Sequence, residues 1–162
     1  STLLGGGMSS RLFQEIREKR GLCYSIFSFA SMLSDSGQFA VYAGTSAAQV
    51  DEMLGVVCAE INAVAAHVSA EEVARAKAQL RASLLMARES VASCTDALAR
   101  QITLFGQPSD DAELLAAIDD VDVSKVINVA QRLIAGGAPA LAAVGPSTDI
   151  MRNEALAAAL AA

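Results

Sequence analysis

"GLCYSIFSFASMLSDSGQFAVYAG", residues 21–44, decides the fold. Residues 22–33 alternate large and small side chains and are rich in aromatics, a pattern that predicts a strand. "SDSG" at 34–37 is a cluster of turn formers, and "QFAVYAG" at 38–44 resumes the strand pattern. Two such strands across so short a turn predict an antiparallel hairpin.

Upstream of the hairpin, residues 9–20 predict a short helix. Ser9 or Ser10 can cap its start, Leu12, Phe13 and Ile16 form an apolar stripe, and Glu15 and Lys19 pair at i,i+4. Gly21 can take the left-handed position that closes the helix. Before it, "STLLGGG" at 1–7 reads as a helix end followed by a glycine break.

Downstream the chain turns helical. Val50, Leu54, Val57, Ile61 and Val64 recur at helical spacing within residues 47–67. "SAEE" at 69–72 sets Ser69 and Glu72 as a capping box. Apolar residues then step by three or four from Val73 through Leu80, Leu84, Val91 and Leu98 to Phe105, predicting one long helix ended by Gly106 and Pro108. Helices follow at 110–119 and 123–135. "GGAP" at 136–139 breaks the chain before a last strand at 140–145 and an Ala-rich helix at 148–160. The expected fold is α/β (α+β): two layers, with an antiparallel-rich sheet packed under several helices. Residues 1–162 form a single domain on this reading.

Composition narrows function by exclusion. The chain is 53% apolar with no Trp, so its core must be built from Leu, Val, Ile and Ala. A net charge of −6 argues against nucleic acid as a partner, which would require a basic stripe. No apolar run approaches the roughly 18–20 residues of a membrane span, so no membrane partner is expected. Cys23, Cys58 and Cys94 are odd in number and form no CxxC pair, which suits buried thiols in a reducing, cytoplasmic compartment.

The glycine run is not a phosphate cradle, because no Lys-Ser or Lys-Thr follows it. His67 is the only histidine, so every Ser–His–Asp or Cys–His device would run through it. In the last turn of a helix it reads more simply as a dipole-compatible side chain. One His and scattered Cys offer no zinc spacing, so no metal or cofactor is expected in this chain. Arg17 and Tyr24 are more informative. They lie at the end of a helix and the start of a strand, across the Gly21 turn, where both can donate hydrogen bonds to carbonyl oxygens at one rim. The plain alternative is a solvated arginine and a half-buried strand tyrosine. Cys23 should face away from Tyr24 and pack as a small hydrophobe.

"LLGGGMSSRLFQEIREKRGLCYSI", residues 3–26, resembles the signature of the C-terminal domain of the pitrilysin/insulinase family of zinc metallopeptidases. It is most similar to the processing-protease branch, which includes mitochondrial processing peptidase. The likeness continues through "SGQFAVYAGT", "AEEVARAKAQLRASLLMARES" and "AAVGP". The resemblance implies two homologous domains facing each other across a cleft. Zinc would be bound by His-x-x-Glu-His in the N-terminal domain or a partner subunit, and this metal-free half would contribute an Arg and a Tyr. Arg17 and Tyr24 match those positions. Tyr24 would then steady the oxyanion on the scissile carbonyl and Arg17 would hold a neighbouring peptide carbonyl. The implied partners are the zinc-bearing domain and a peptide substrate, and this chain alone would be inactive. Relative to the family, the domain would lack its first strand and most of its first helix, leaving an edge that favours a homodimer. A non-catalytic scaffold subunit of the same fold, as in respiratory complexes, is the rival reading.

Overall fold

The computed structural model describes residues 1–33, 35–146 and 150–161. A four-residue helix α1 (Thr2–Gly5) leads through the glycine run to a π-helix at Phe13–Glu18. The hairpin follows as β1 (Ser25–Met32) and β2 (Gly37–Gly44), antiparallel, with Ile26 opposite Ala43, Ser28 opposite Val41 and Ala30 opposite Phe39. A 3₁₀ turn, Ala47–Gln49, opens α2 (Val50–Ala66), and α3 (Ala70–Ala87) and α4 (Val91–Phe105) come next. The chain closes with α5 (Asp111–Asp119), α6 (Val123–Ala135) and α7 (Asn153–Ala161). The class is α/β, with the two-stranded antiparallel sheet laid against helices.

The core lies between the hairpin and α2. Leu12, just before the π-helix, and Ile16 within it are fully buried there, beside Leu22, Cys23 and Ile26. From α2 come Met53 and three residues of the predicted stripe, Leu54, Val57 and Val64, with Val50 and Ile61 partly buried beside them. Val68 and Val73 seal the start of α3. Polar tethers hold the C-terminal third to α2: Gln131 Nε2 donates to Ala65 O, Asn62 Nδ2 to Ala159 O and Met151 N to Asp51 Oδ1. No single helix among the described residues is long and apolar enough to cross a membrane.

Four expectations are corrected. The helix expected at 73–105 is two helices, because Ser90 caps a fresh start by accepting from Ser93 N. Arg88, in the break, pairs with Asp111 at the head of α5. A three- or four-residue apolar step is equally satisfied by one helix or by two with a short break. The strand expected at 140–145 is irregular chain, since β1 and β2 pair with each other and the Leu141 amide bonds the Asn153 side chain instead. Neither Ser9 nor Ser10 caps the first helix with its side chain. The Ser10 hydroxyl donates to Gly7 O at 2.6 Å, satisfying a carbonyl of the glycine run. His67 sits one residue past the last turn of α2, with extended backbone. Residues 148 and 149 of the expected last helix and Ser34 of the turn lie outside the described residues.

Candidate functional site

The rim predicted around Arg17 and Tyr24 is built by three local features. The first is the π-turn. Lys19 N reaches back five residues to Gln14 O at 3.0 Å, so the helix is wider here than an α-helix. A wider turn brings residues four apart closer to one line, and the Arg17 guanidinium lies over the Phe13 ring, its carbon 4.7 Å from the centroid. The second is Gly21, whose φ of +63° reverses the chain, with Gly21 N bonded to Arg17 O and Leu22 N to Ile16 O. The third is the anchorage of residues 21–24 to the end of β2. Tyr24 N donates to Gly44 O at 2.9 Å, and Thr45 Oγ1 donates to Leu22 O.

These features bring Arg17 and Tyr24 together. The Arg17 guanidinium carbon is 5.8 Å from the centroid of the Tyr24 ring, and Tyr24 is 85% exposed. Neither the guanidinium nor the phenol hydroxyl makes a hydrogen bond or ion pair among the described residues. Both remain available to an external acceptor. Cys23 faces the other way and is buried, as expected, and burial pushes its thiol pKa up against the opposing pull of Arg17.

The glycines that precede the rim pack tightly rather than cradle an anion. A Cβ on Gly5 would lie 2.7 Å from Ser28 Oγ and closer still to the Ser28 amide. Gly6 O accepts from Gln79 Nε2 at 2.6 Å. Arg11 reaches from the same segment to Glu72, Nε to Oε1 at 2.6 Å, and to His67 O at 2.9 Å. His67 is exposed and takes part through its backbone, the amide donating to Ala63 O and the carbonyl accepting from Arg11. No three His, Cys, Asp or Glu side chains converge among the described residues, so the donors present do not fit zinc.

Sequence reasoning missed Phe13 as a neighbour of Arg17, although their i,i+4 spacing on one helix face carries the signal. It also missed the outward aromatic face of the hairpin, where Phe27 and Tyr42 stand opposite each other with ring centroids 5.0 Å apart and Phe29 follows at 6.0 Å. The Arg11–Glu72 clamp joins residues too far apart in sequence for any local pattern to show.

Residues 1–80 match the family model described as the peptidase M16 inactive domain. The chain is 39% identical over 150 residues to a Streptomyces coelicolor protein named an uncharacterized zinc protease, covering 92% of this chain and 32% of that one. A peptidase M16 inactive domain from Pseudomonas fluorescens shares the fold, with a TM-score of 0.67 at 23% identity over 79% of this chain and 31% of that one. A chain of complex III2 from Candida albicans gives a TM-score of 0.69 at 26% identity over 81% of this chain and 31% of that one. The chain thus spans about a third of the length of these proteins. The family match runs from the glycine run through the π-turn and the hairpin, the elements that build the rim, into α3, and residues 1–80 belong to the inactive domain of the peptidase M16 (pitrilysin/insulinase) family.

Proposed function

We propose that this chain is the metal-free half of a zinc metalloendopeptidase, similar to the processing proteases, and that it forms one wall of the cleft in which a peptide is hydrolysed. One observation carries the reading: an exposed tyrosine beside an arginine whose hydrogen-bond donors are unspent. In this role the Tyr24 hydroxyl donates to the oxyanion that develops on the scissile carbonyl, and Arg17 holds a neighbouring carbonyl of the substrate. Both act as charge develops and neither supplies a nucleophile. Zinc belongs to the N-terminal domain or a partner subunit, and the chain on its own is inert. A cytoplasmic setting and a homodimer of the isolated chain are parts of the same proposal.

The test is a quenched-peptide assay on the full-length protein with its zinc content measured in parallel. Tyr24→Phe is expected to lower kcat by roughly 10- to 1000-fold, as loss of one oxyanion donor does, with zinc unchanged. Arg17→Ala should lower kcat/KM. Full activity in both variants would overturn the assignment.

The likeness to a chain of complex III2 supports a second reading, a non-catalytic scaffold subunit of the same fold. A His-x-x-Glu-His motif elsewhere in the full-length protein, or in a neighbouring gene, favours the peptidase; its absence from both favours the scaffold.

A further inference from the structure

We propose that Phe13 is a positioning residue whose ring, brought into line by the π-turn, holds the Arg17 guanidinium beside Tyr24 while leaving its N–H donors free for a substrate carbonyl. The proposal rests on the reading of Arg17 as a substrate contact and says how that contact is held.

The environment makes this arrangement notable. The chain is acidic overall, and six of its basic side chains, Arg11, Lys19, Arg75, Arg81, Arg88 and Lys125, sit in ion pairs. Arg17 has Glu15 and Glu18 in its own turn, yet Glu15 is taken by Lys19 and the guanidinium lies over Phe13 instead. The difference is chemical. A carboxylate fixes an arginine by occupying N–H donors at the edge of the guanidinium plane and by cancelling its charge. An aromatic ring contacts the face of that plane, so all the edge donors and the full charge remain. A guanidinium that must be both fixed and available is served by the ring.

Geometry supplies the second part. In an α-helix, residues four apart are offset by about 40° around the axis, given 3.6 residues per turn. The i→i+5 bond from Lys19 to Gln14 widens this turn and reduces the offset, so Phe13 lies within cation–π distance of Arg17. Leu12 and Ile16, also four apart, are fully buried in the core.

The test uses the full-length protein with ¹⁵N-labelled arginine. Phe13→Leu keeps the apolar bulk and removes the ring; Phe13→Trp keeps a ring. The Arg17 Nε–Hε resonance should lose its ring-current shift in Phe13→Leu and recover one in Phe13→Trp. Peptide cleavage should follow, with kcat/KM falling roughly 2- to 30-fold in Phe13→Leu and recovering in Phe13→Trp. In an Arg17→Ala background Phe13→Leu should add nothing. An unshifted Arg17 resonance in Phe13→Leu, or the same activity loss with and without Arg17, overturns the proposal. A resonance that moves while Arg17→Ala keeps full activity supports the positioning contact and instead removes the peptidase role of Arg17.

Discussion

Gly5 and Gly21 are both glycine for reasons that differ in kind. Around Gly21 there is open space, and its φ of +63° is what a side chain resists. Gly21→Ala should therefore cost about 1–2 kcal/mol through the backbone alone. At Gly5 the backbone is helical, and the obstacle is the Ser28 amide and hydroxyl, which cannot move without shifting β1. Gly5→Ala should cost about 1–3 kcal/mol by overpacking and should disturb Ser28 itself. Urea unfolding gives both magnitudes, and amide shifts of β1 separate them: they should move for Gly5→Ala and stay for Gly21→Ala. Equal perturbation of β1 by the two would contradict the distinction. Gly21 was legible in the sequence because a glycine after a charged helix is a local signal. Gly5 was not, because close approach to a strand is a tertiary fact.

At the scale of elements, the start of α3 is the best-secured point in the chain. Ser69 and Glu72 form the capping box, and Arg11 adds a two-point contact to the same carboxylate, with both side chains less than a fifth exposed. The Arg11 hydrogen bond holds the Glu72 carboxyl down to about 2, from an ordinary value of 4.5, helped by the Ser69 amide and hydroxyl. A depressed carboxylate contributes stability that is complete above pH 4.5 and is lost as pH falls from there towards about 2. With solvent screening discounted, the contribution is on the order of 1–2 kcal/mol. Thermal melts between pH 2 and pH 6 should show this slope, and Glu72→Gln should flatten it while lowering stability at pH 6. An unchanged slope in that variant would remove the clamp as its origin. The capping box, the hairpin and the stripe of α2 were readable because each is written within one short, continuous stretch of sequence. The π-turn, the break at Ser90 and the loss of the last strand were not. Hydrophobic spacing does not distinguish a wide turn from an α-turn, and a strand exists only where another strand offers it partners.

Taken whole, the molecule is covered unevenly. Among the described residues its sheet has two strands; Phe27, Phe29 and Tyr42 face outward on one side of it, while α1, the π-turn and the core lie against the other. Phe39, Val41 and Ala43 lie on β2, which has no strand on its outer side among the described residues. Such a face and edge promote association. The 162-residue chain is expected to self-associate, most simply as a dimer, and Phe29→Lys should shift it towards monomer. Sedimentation at high micromolar concentration reads this, and a clean monomer of the unaltered chain would count against it. The hairpin's existence was readable from alternation, but not which of its faces would stay open, since that depends on how many helices the chain brings to it.

The tethers onto α2 also impose an order in time. Asn62 bonds Ala159 and Asp51 bonds Met151, spans of 97 and 100 residues. A ribosome adding roughly 5–20 residues per second needs about 5–20 s to cover such a distance. The hairpin can close as soon as it emerges, whereas α2 waits, its Asp51 carboxyl and Asn62 amide bonded to water, until residues 151–159 have been added. During synthesis the side of α2 that meets residues 151–159 is therefore completed long after the hairpin.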